Sequence, residues 1–441
     1  MTRIWRVVHW PGGPGTRDTR HRANATWIWT SRTRVHNTMK PINYHLRATL
    51  LPEGRQQTDL WIVNGRLTFT PAPDAVSLPC AFMAPGLIDG HVHLSLDFAN
   101  TGLKPHSPEL VLHNAQRHLR SGVTALRDAG YVQQLNLTDV ELPPMPIILR
   151  SGWMHVPEGR FFPGVDVGKS TAPDELLARF EEVAAHGLKW FKIIADFPGP
   201  AMDLFEAPLT YPLEIVRNVV EAAHKAGVRV LAHSTGSNVS EIVATGVDSI
   251  EHGSNITPDV VRAMATHGTQ WCPTIATVEG FLKAAETKGL PGAVREAYSR
   301  RTQDALETAI ALGVPVLVGS DELPHGRIDL EIDAMVRHGL SIDQALRSAT
   351  TVGRKALGLP GVEEGAPADM VLWETDPRSD LSRLSSPSHV LGNGVLVDLT
   401  EVDIGQGVAM SLRERMGDRS FEQQAGDETC VFAGSHDHKH G

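Results

Sequence analysis

The chain has 441 residues, 41% hydrophobic and 21% charged, with a formal charge of −10. This is the composition of an ordinary globular protein; the acidic balance argues against nucleic acid, and the lack of any run of eighteen apolar residues argues against a membrane span. Cys80, Cys272 and Cys430 are odd in number and far apart, which argues against a disulfide framework and for a reducing, cytoplasmic compartment.

Residues 1–38 carry seven arginines, one acid (Asp18) and four tryptophans, with no strand or helix period. They read as a leader without catalytic role, either an upstream artefact ahead of Met39 or a disordered arm. From residue 39 to 84 the pattern turns β-like, with DLWIVNGRLTF carrying an Asn-Gly turn signal.

From GLIDGHVH (86–93) onward, short apolar runs alternate with helical patterns. The runs are VTALRD (123–128), PIILRSG (146–152), WFKIIAD (190–196), VRVLAHS (228–234), DSIEHG (248–253), TQWCPTI (269–275) and VPVLVGSD (314–321). Between them ELVLHNAQRHLRSG (109–122), DELLARFEEVAAHG (174–187) and LEIVRNVVEAAHKAG (213–227) each end on a helix-stopping glycine. Eight strand–helix units over 85–354 predict an α/β fold, a (β/α)8 TIM barrel. A doubly wound sheet is the rival, but the chain has no dinucleotide glycine fingerprint. Residues 355–401, with PADMVLWETDP and SHVLGNGVLVDL, are β-like again. With 39–84 they predict a small β-sandwich domain formed by both chain ends. The tail 402–441 is polar and carries His436, His438 and His440; it reads as disordered, with metal binding by these histidines the lesser alternative.

Barrel active sites lie where the strands end. His91 and His93 end the first run, two residues apart and so on one strand face. Lys192 sits inside the fourth, His233 ends the fifth, His252 the sixth and Asp321 the eighth. Each has a bland explanation alone: a hydrogen-bonded core histidine, a lysine paired with a carboxylate, a helix-capping aspartate. All six at one barrel mouth point instead to a metal site, since imidazole and carboxylate are the common ligands.

In order and spacing, PGLIDGHVHL, GVTALRDAG, the lysine of WFKI, the histidines of VLAHS and IEHG, the aspartate of GSD, and GLPGVEEGAPADMVLW resemble the metal-dependent amidohydrolase superfamily. The closest subgroup is prolidase-like and imidazolonepropionase-like, with a carboxylated bridging lysine. The resemblance spans about residues 43–400. It implies two divalent ions, one on His91, His93 and Asp321, the other on His233 and His252, with Lys192, carboxylated by CO2, bridging both. Zinc suits this set; manganese, cobalt and iron remain open. It also implies an ion-bridged hydroxide with Asp321 as general base and then acid, cleaving an amide-type C–N bond of a dipeptide or N-acyl amino acid.

Alternatives stay open at this stage. A lactone or phosphoester hydrolase would use the same binuclear centre. A mononuclear deaminase would place Glu three residues after His233, where Gly236 stands. A non-catalytic metal-binding protein tends to lose ligands, and none is lost here. The family's Gly-Gly-His segment is replaced by SGWMHVPEGRFFPGV (151–165). His155, Arg160, Tyr211 and His325 are therefore the candidate substrate contacts, and Trp153, Phe161 and Phe162 a candidate apolar wall. The expected partner is a small-molecule substrate, with homo-oligomerisation left open.

Overall fold

Both ends of the described chain run into Asn-Gly hairpins. The computed structural model describes residues 42–96, 108–130, 144–162, 168–198 and 206–400; the arginine-rich leader 1–38 and the tail from 402, with its three histidines, lie outside them. Asn64 and Gly65 have φ of 51° and 76°, Asn393 and Gly394 of 50° and 81°, the left-handed pair a two-residue type I′ turn needs. The first joins Arg55–Val63 to Arg66–Thr68, the second His389–Gly392 to Val395–Leu396. A Cβ on Gly394 would lie 2.3 Å from Gly65 Cα, so the two tips meet where only glycine fits.

Both hairpins belong to one eight-stranded sheet. Its order is Val395–Leu396, His389–Gly392, Met370–Trp373, Phe82–Pro85, Tyr44–Leu50, Arg55–Val63 and Arg66–Thr68, with Val76–Ser77 paired to Tyr44–Leu50. Period-2 alternation puts Leu46, Leu60, Ile62, Met83, Met370, Leu372 and Leu391 into a core of its own. Arg354 ties this sheet to the rest: its guanidinium donates to Asp369 Oδ2 (2.8 Å), Gly86 O and Thr124 Oγ1 (both 3.1 Å).

The remaining strands form two parallel sheets. Leu87–Val92, Val123–Asp128 and Ile147–Arg150 make the first. The second runs Lys169–Ser170, Met154–Val156, Trp190–Ile194, Arg229–Ser234, Ser249–His252, Gln270–Cys272. Met154–Val156 and Lys169–Ser170 lie in what the sequence presents as loop. The expected eighth strand, 314–321, forms no ladder. It makes two isolated parallel bridges instead, Val316 to Trp271 and Asp321 to Val92, and so touches the last strand of one sheet and the first of the other.

The helices cover the outer faces. Pro108–Arg120, Leu176–Ala185 and Leu213–Lys225 fall close to the predicted bounds. In Trp190–Ile194, Phe191 and Ile193 join Phe180, Val216 and Val220 in the large outer core. Trp190 packs on the opposite side with Ile88, Leu231, Cys272 and Leu317. Lys192 shares the parity of Trp190, so an apolar strand carries its ammonium inward. Among the described residues no helix is long and apolar enough to cross a membrane.

Candidate metal centre and active site

An irregularity in strand pairing between Asp89 and Val92 resets the alternation of the first strand, and Val92 and Leu94 pack in the outer core. His91 and His93 then face inward, with their Nε2 atoms 3.2 Å apart. Each Nε2 is 3.6 Å from Asp321 Oδ1. The segment carrying Asp321 comes this close because of Gly319, where a Cβ would meet Cys272 Sγ at 2.5 Å and His91 Cβ at 2.7 Å. Asp89 holds it there, accepting from Ser320 N (3.0 Å) and from Ser320 Oγ.

His233 and His252 complete the cluster, their ring centroids 4.4 Å apart. His252 Nδ1 is 2.7 Å from Thr274 Oγ1 and 3.8 Å from Asp321 Oδ2. His252 and Asp321 have φ of 66° and 48°, a left-handed backbone costing non-glycine residues roughly 1–3 kcal/mol and found where function demands it. After His233 the chain is pinned by Asp196, which accepts from Ser234 Oγ (2.6 Å), Thr235 N (2.7 Å) and Gly236 N (3.3 Å).

The tautomers follow from the partners. His93 Nδ1 is 2.7 Å from Gly130 O, which can only accept. His91 Nδ1 is 2.5 Å from Glu251 Oε2, and that carboxylate also accepts from Arg127 Nη2 (2.7 and 3.0 Å) and from Ser249 Oγ. Both histidines therefore donate from Nδ1 and aim an Nε2 lone pair at the same point. Burial holds His91, His233 and His252 well below the ordinary imidazole range, and brings His93 down to about 4. Neutral rings are the form that ligates metal. Buried His233 Nε2 has no hydrogen-bond partner. Lone pairs converging beside the Asp321 carboxyl repel one another unless a proton or a cation lies between. The donor set thus fits a divalent metal.

The ligand-capable atoms of His91, His252 and Asp321 lie within 4.8 Å of one another. A second trio, His91, Glu251 and Cys272, is equally tight, but its chemistry is wrong. Glu251 is already engaged by Arg127, His91 and Ser249, and burial pushes the Cys272 thiol well above its usual range, away from the thiolate a metal needs.

Lys192 is 1% exposed. Burial lowers its ammonium to about 8, against the pull of Glu251 and Asp321. Burial likewise raises the Asp321 carboxyl, with Glu251 and Asp89 adding to the effect and Lys192 opposing it. His93, Lys192, His233, His252 and Asp321 all line one cavity. Its upper wall holds Phe161, Phe162 and Phe197, with Val278, Phe281 and Glu322 also lining it.

The four residues read from sequence as substrate contacts do not line this cavity. His155 lies on a strand whose alternation turns Met154 to the cavity and His155 away, stacked 4.7 Å from Phe191 with Nδ1 on Thr171 Oγ1. Arg160 donates to Leu209 O at 3.1 Å, and Tyr211 donates its hydroxyl to Thr171 O at 3.2 Å. His325 packs against His118 with Nε2 on Leu96 O. Trp153 does not line it either, whereas Phe161 and Phe162 do. Glu251, Arg127, Phe197, Phe281 and Glu322 are absent from the sequence reading. An available signal for the first two was a charge of each sign inside an apolar strand, in DSIEHG and VTALRD.

Residues 82–397 match the amidohydrolase family model. An uncharacterized protein of Mycobacterium tuberculosis (strain ATCC 25618 / H37Rv) is 30% identical over 368 residues, 80% of this chain and 96% of that one. Ochratoxinase of Aspergillus niger is 28% identical over 228 residues, 48% of this chain and 46% of the enzyme. The crystal structure of a putative prolidase from Bifidobacterium longum superposes with a TM-score of 0.68 at 23% identity, over 85% of this chain and 99% of that one. The chain belongs to the amidohydrolase family. It is an enzyme, a hydrolase of carbon–nitrogen bonds.

Proposed function

We propose that this cavity hydrolyses an amide-type bond with the aid of two divalent ions, one on His91, His93 and Asp321 and the other on His233 and His252. Lys192, carboxylated on Nζ, would supply an anionic ligand to both. The observation that carries the proposal is the pair of Nε2 lone pairs of His91 and His93, 3.2 Å apart and each 3.6 Å from Asp321. Zinc suits a histidine–carboxylate set, with manganese, cobalt and iron as alternatives. When bound, such ions would polarise the scissile carbonyl and lower the pKa of water toward about 7.

The chain's own residues do the rest. Asp321, at the cavity floor with a carboxyl raised by burial, takes a proton from the attacking water and hands it to the leaving nitrogen. The water oxygen bonds to the carbonyl carbon, the C–N bond breaks, and amine and carboxylic acid leave. Burial brings the Lys192 amine toward neutrality at physiological pH, the form that adds to CO2. Segment 314–321 bridges both parallel sheets, which supports closure into a (β/α)8 barrel over 85–354, with 39–84 and 355–401 as the small β domain. Dipeptides and N-acyl amino acids are the starting class.

The test is turnover by zinc- or manganese-replete protein on a panel of dipeptides, N-acyl amino acids, neutral amides, lactones and phosphoesters, with Asp321→Asn as control. Amide cleavage that falls by on the order of 10² or more in the variant supports the reading. Cleavage of lactones or phosphoesters alone contradicts it.

A further inference from the structure

The wall of the cavity carries information about the substrate that the cluster at its floor does not. Phe161, Phe162 and Phe197 form a closed aromatic trio, with ring centroids 4.6, 4.7 and 4.9 Å apart. Phe161 and Phe197 also meet His233, at 5.9 and 5.7 Å. Met154 and Ile194 back the trio in a small apolar cluster. Val278 and Phe281, on the helix Ile275–Glu286, line the same space. An apolar group placed here would lie directly against the residues that handle the scissile bond.

Charge is distributed just as unevenly. Among the described residues lining the cavity, Lys192 is the only lysine or arginine and belongs to the floor, whereas Glu322 adds an acid beside Asp321. Arg160, next in sequence to the aromatic trio, is spent on a backbone carbonyl. The internal segments outside the described residues hold a single lysine or arginine between them, Lys104. A free α-carboxylate needs a guanidinium or ammonium partner when it is desolvated. Away from the proposed metal ligands at its floor, this cavity offers it phenyl rings and aliphatic side chains.

We infer that the substrate is an uncharged amide bearing an aromatic or bulky apolar group beside the scissile bond, and that dipeptides and N-acyl amino acids with a free carboxylate are poor substrates. Phe197 is the specificity-determining residue, by contact with the apolar group. The inference rests on the amide-hydrolase reading and replaces its starting substrate class. The reaction is the addition of water across the C–N bond: a neutral amide gives one carboxylic acid and one amine.

The experiment uses N-acetyl-2-phenylethylamine and N-acetyl-phenylalanine, which differ only in the α-carboxylate. With metal-replete full-length enzyme, kcat/KM is expected to favour the neutral compound by about tenfold or more, since a charge without a partner is rejected more strongly than a lost methylene. Phe197→Ala is expected to raise KM for the neutral compound. Affinity of both compounds for Asp321→Asn protein, measured by calorimetry, supplies a readout that does not depend on turnover. If neither compound is cleaved, calorimetry still decides the inference, and the amide-hydrolase reading is judged separately on the wider substrate panel. Tighter binding of the neutral compound supports it. Equal or tighter binding of N-acetyl-phenylalanine, or a kcat/KM preference for it, overturns it.

Discussion

His91 Nδ1 and Glu251 Oε2 are 2.5 Å apart across 160 residues of chain, with both side chains fully buried. Glu251 is itself held by Arg127, whose Nε also donates to Gly90 O at 2.7 Å and whose guanidinium lies 4.6 Å over Trp190. The carboxylate fixes the tautomer of His91, and so the direction of the lone pair at Nε2.

Glu251→Gln keeps the shape of that side chain and removes the charge that orders the imidazole. Metal affinity is expected to fall by about 10–100-fold, the usual cost of losing a partner behind a ligand. Competition titration against a chromogenic chelator reads the effect, with circular dichroism confirming the fold. Unchanged affinity would show that His91 needs no orientation by Glu251.

Lys192 has apolar strand neighbours and an inward direction, and an ammonium beside two cations would be repelled by both. Lys192→Ala should therefore lose at least one ion per chain and most activity while the fold persists. A short carboxylate in the buffer should restore part of both by entering the vacated space. A high-resolution density map with two ions bound to a bare lysine amine would end the bridging role.

The Arg354–Asp369 pair tests how the small sheet is attached. Both side chains are 2% exposed. Arg354→Met leaves the Asp369 carboxylate buried with the Asn393 N–H (2.6 Å) as its one remaining donor among the described residues. Loss of one partner of a buried ion pair costs about 3–5 kcal/mol, to be read from urea unfolding. A change below about 1 kcal/mol, the worth of an exposed pair, would mean that water reaches the site.

His224 gives a pH-dependent signature far from the cavity. Its Nε2 is 3.0 Å from Asp248 Oδ2, and this bond raises its pKa above the ordinary value. A raised folded-state pKa stabilises fully below the unfolded pKa, and the gain is lost as pH climbs through the folded value. The melting-temperature difference between wild type and His224→Gln should thus be larger at about pH 5.5 than at about pH 8.5. It should be small, because His224 is nearly half exposed. A difference that grows with pH would reverse the assignment.

His91, His93, Lys192, His233, His252 and Asp321 were visible in the sequence because they interrupt or end apolar runs, and strand ends share one edge of a parallel sheet. The substrate contacts were not visible in the same way. His155 was read as loop, and only its strand pairing with Ile193 shows which way the ring turns. Glu251 and Arg127 lie 124 residues apart, and no local period links them. His252 and Asp321 enter the cavity through positive φ, a backbone feature that strand alternation cannot forecast. The eighth run reads as a strand by composition, yet Gly319 and the turn at Asp321 leave it with two bridges.

Metal binding by these side chains is what the proposed chemistry depends on. Elemental analysis of full-length protein, purified without chelator and equilibrated with zinc or manganese, tests it most directly. About two divalent ions per chain are expected, the number two facing ligand groups and one bridge accommodate; a stoichiometry near zero would rule out the metal centre.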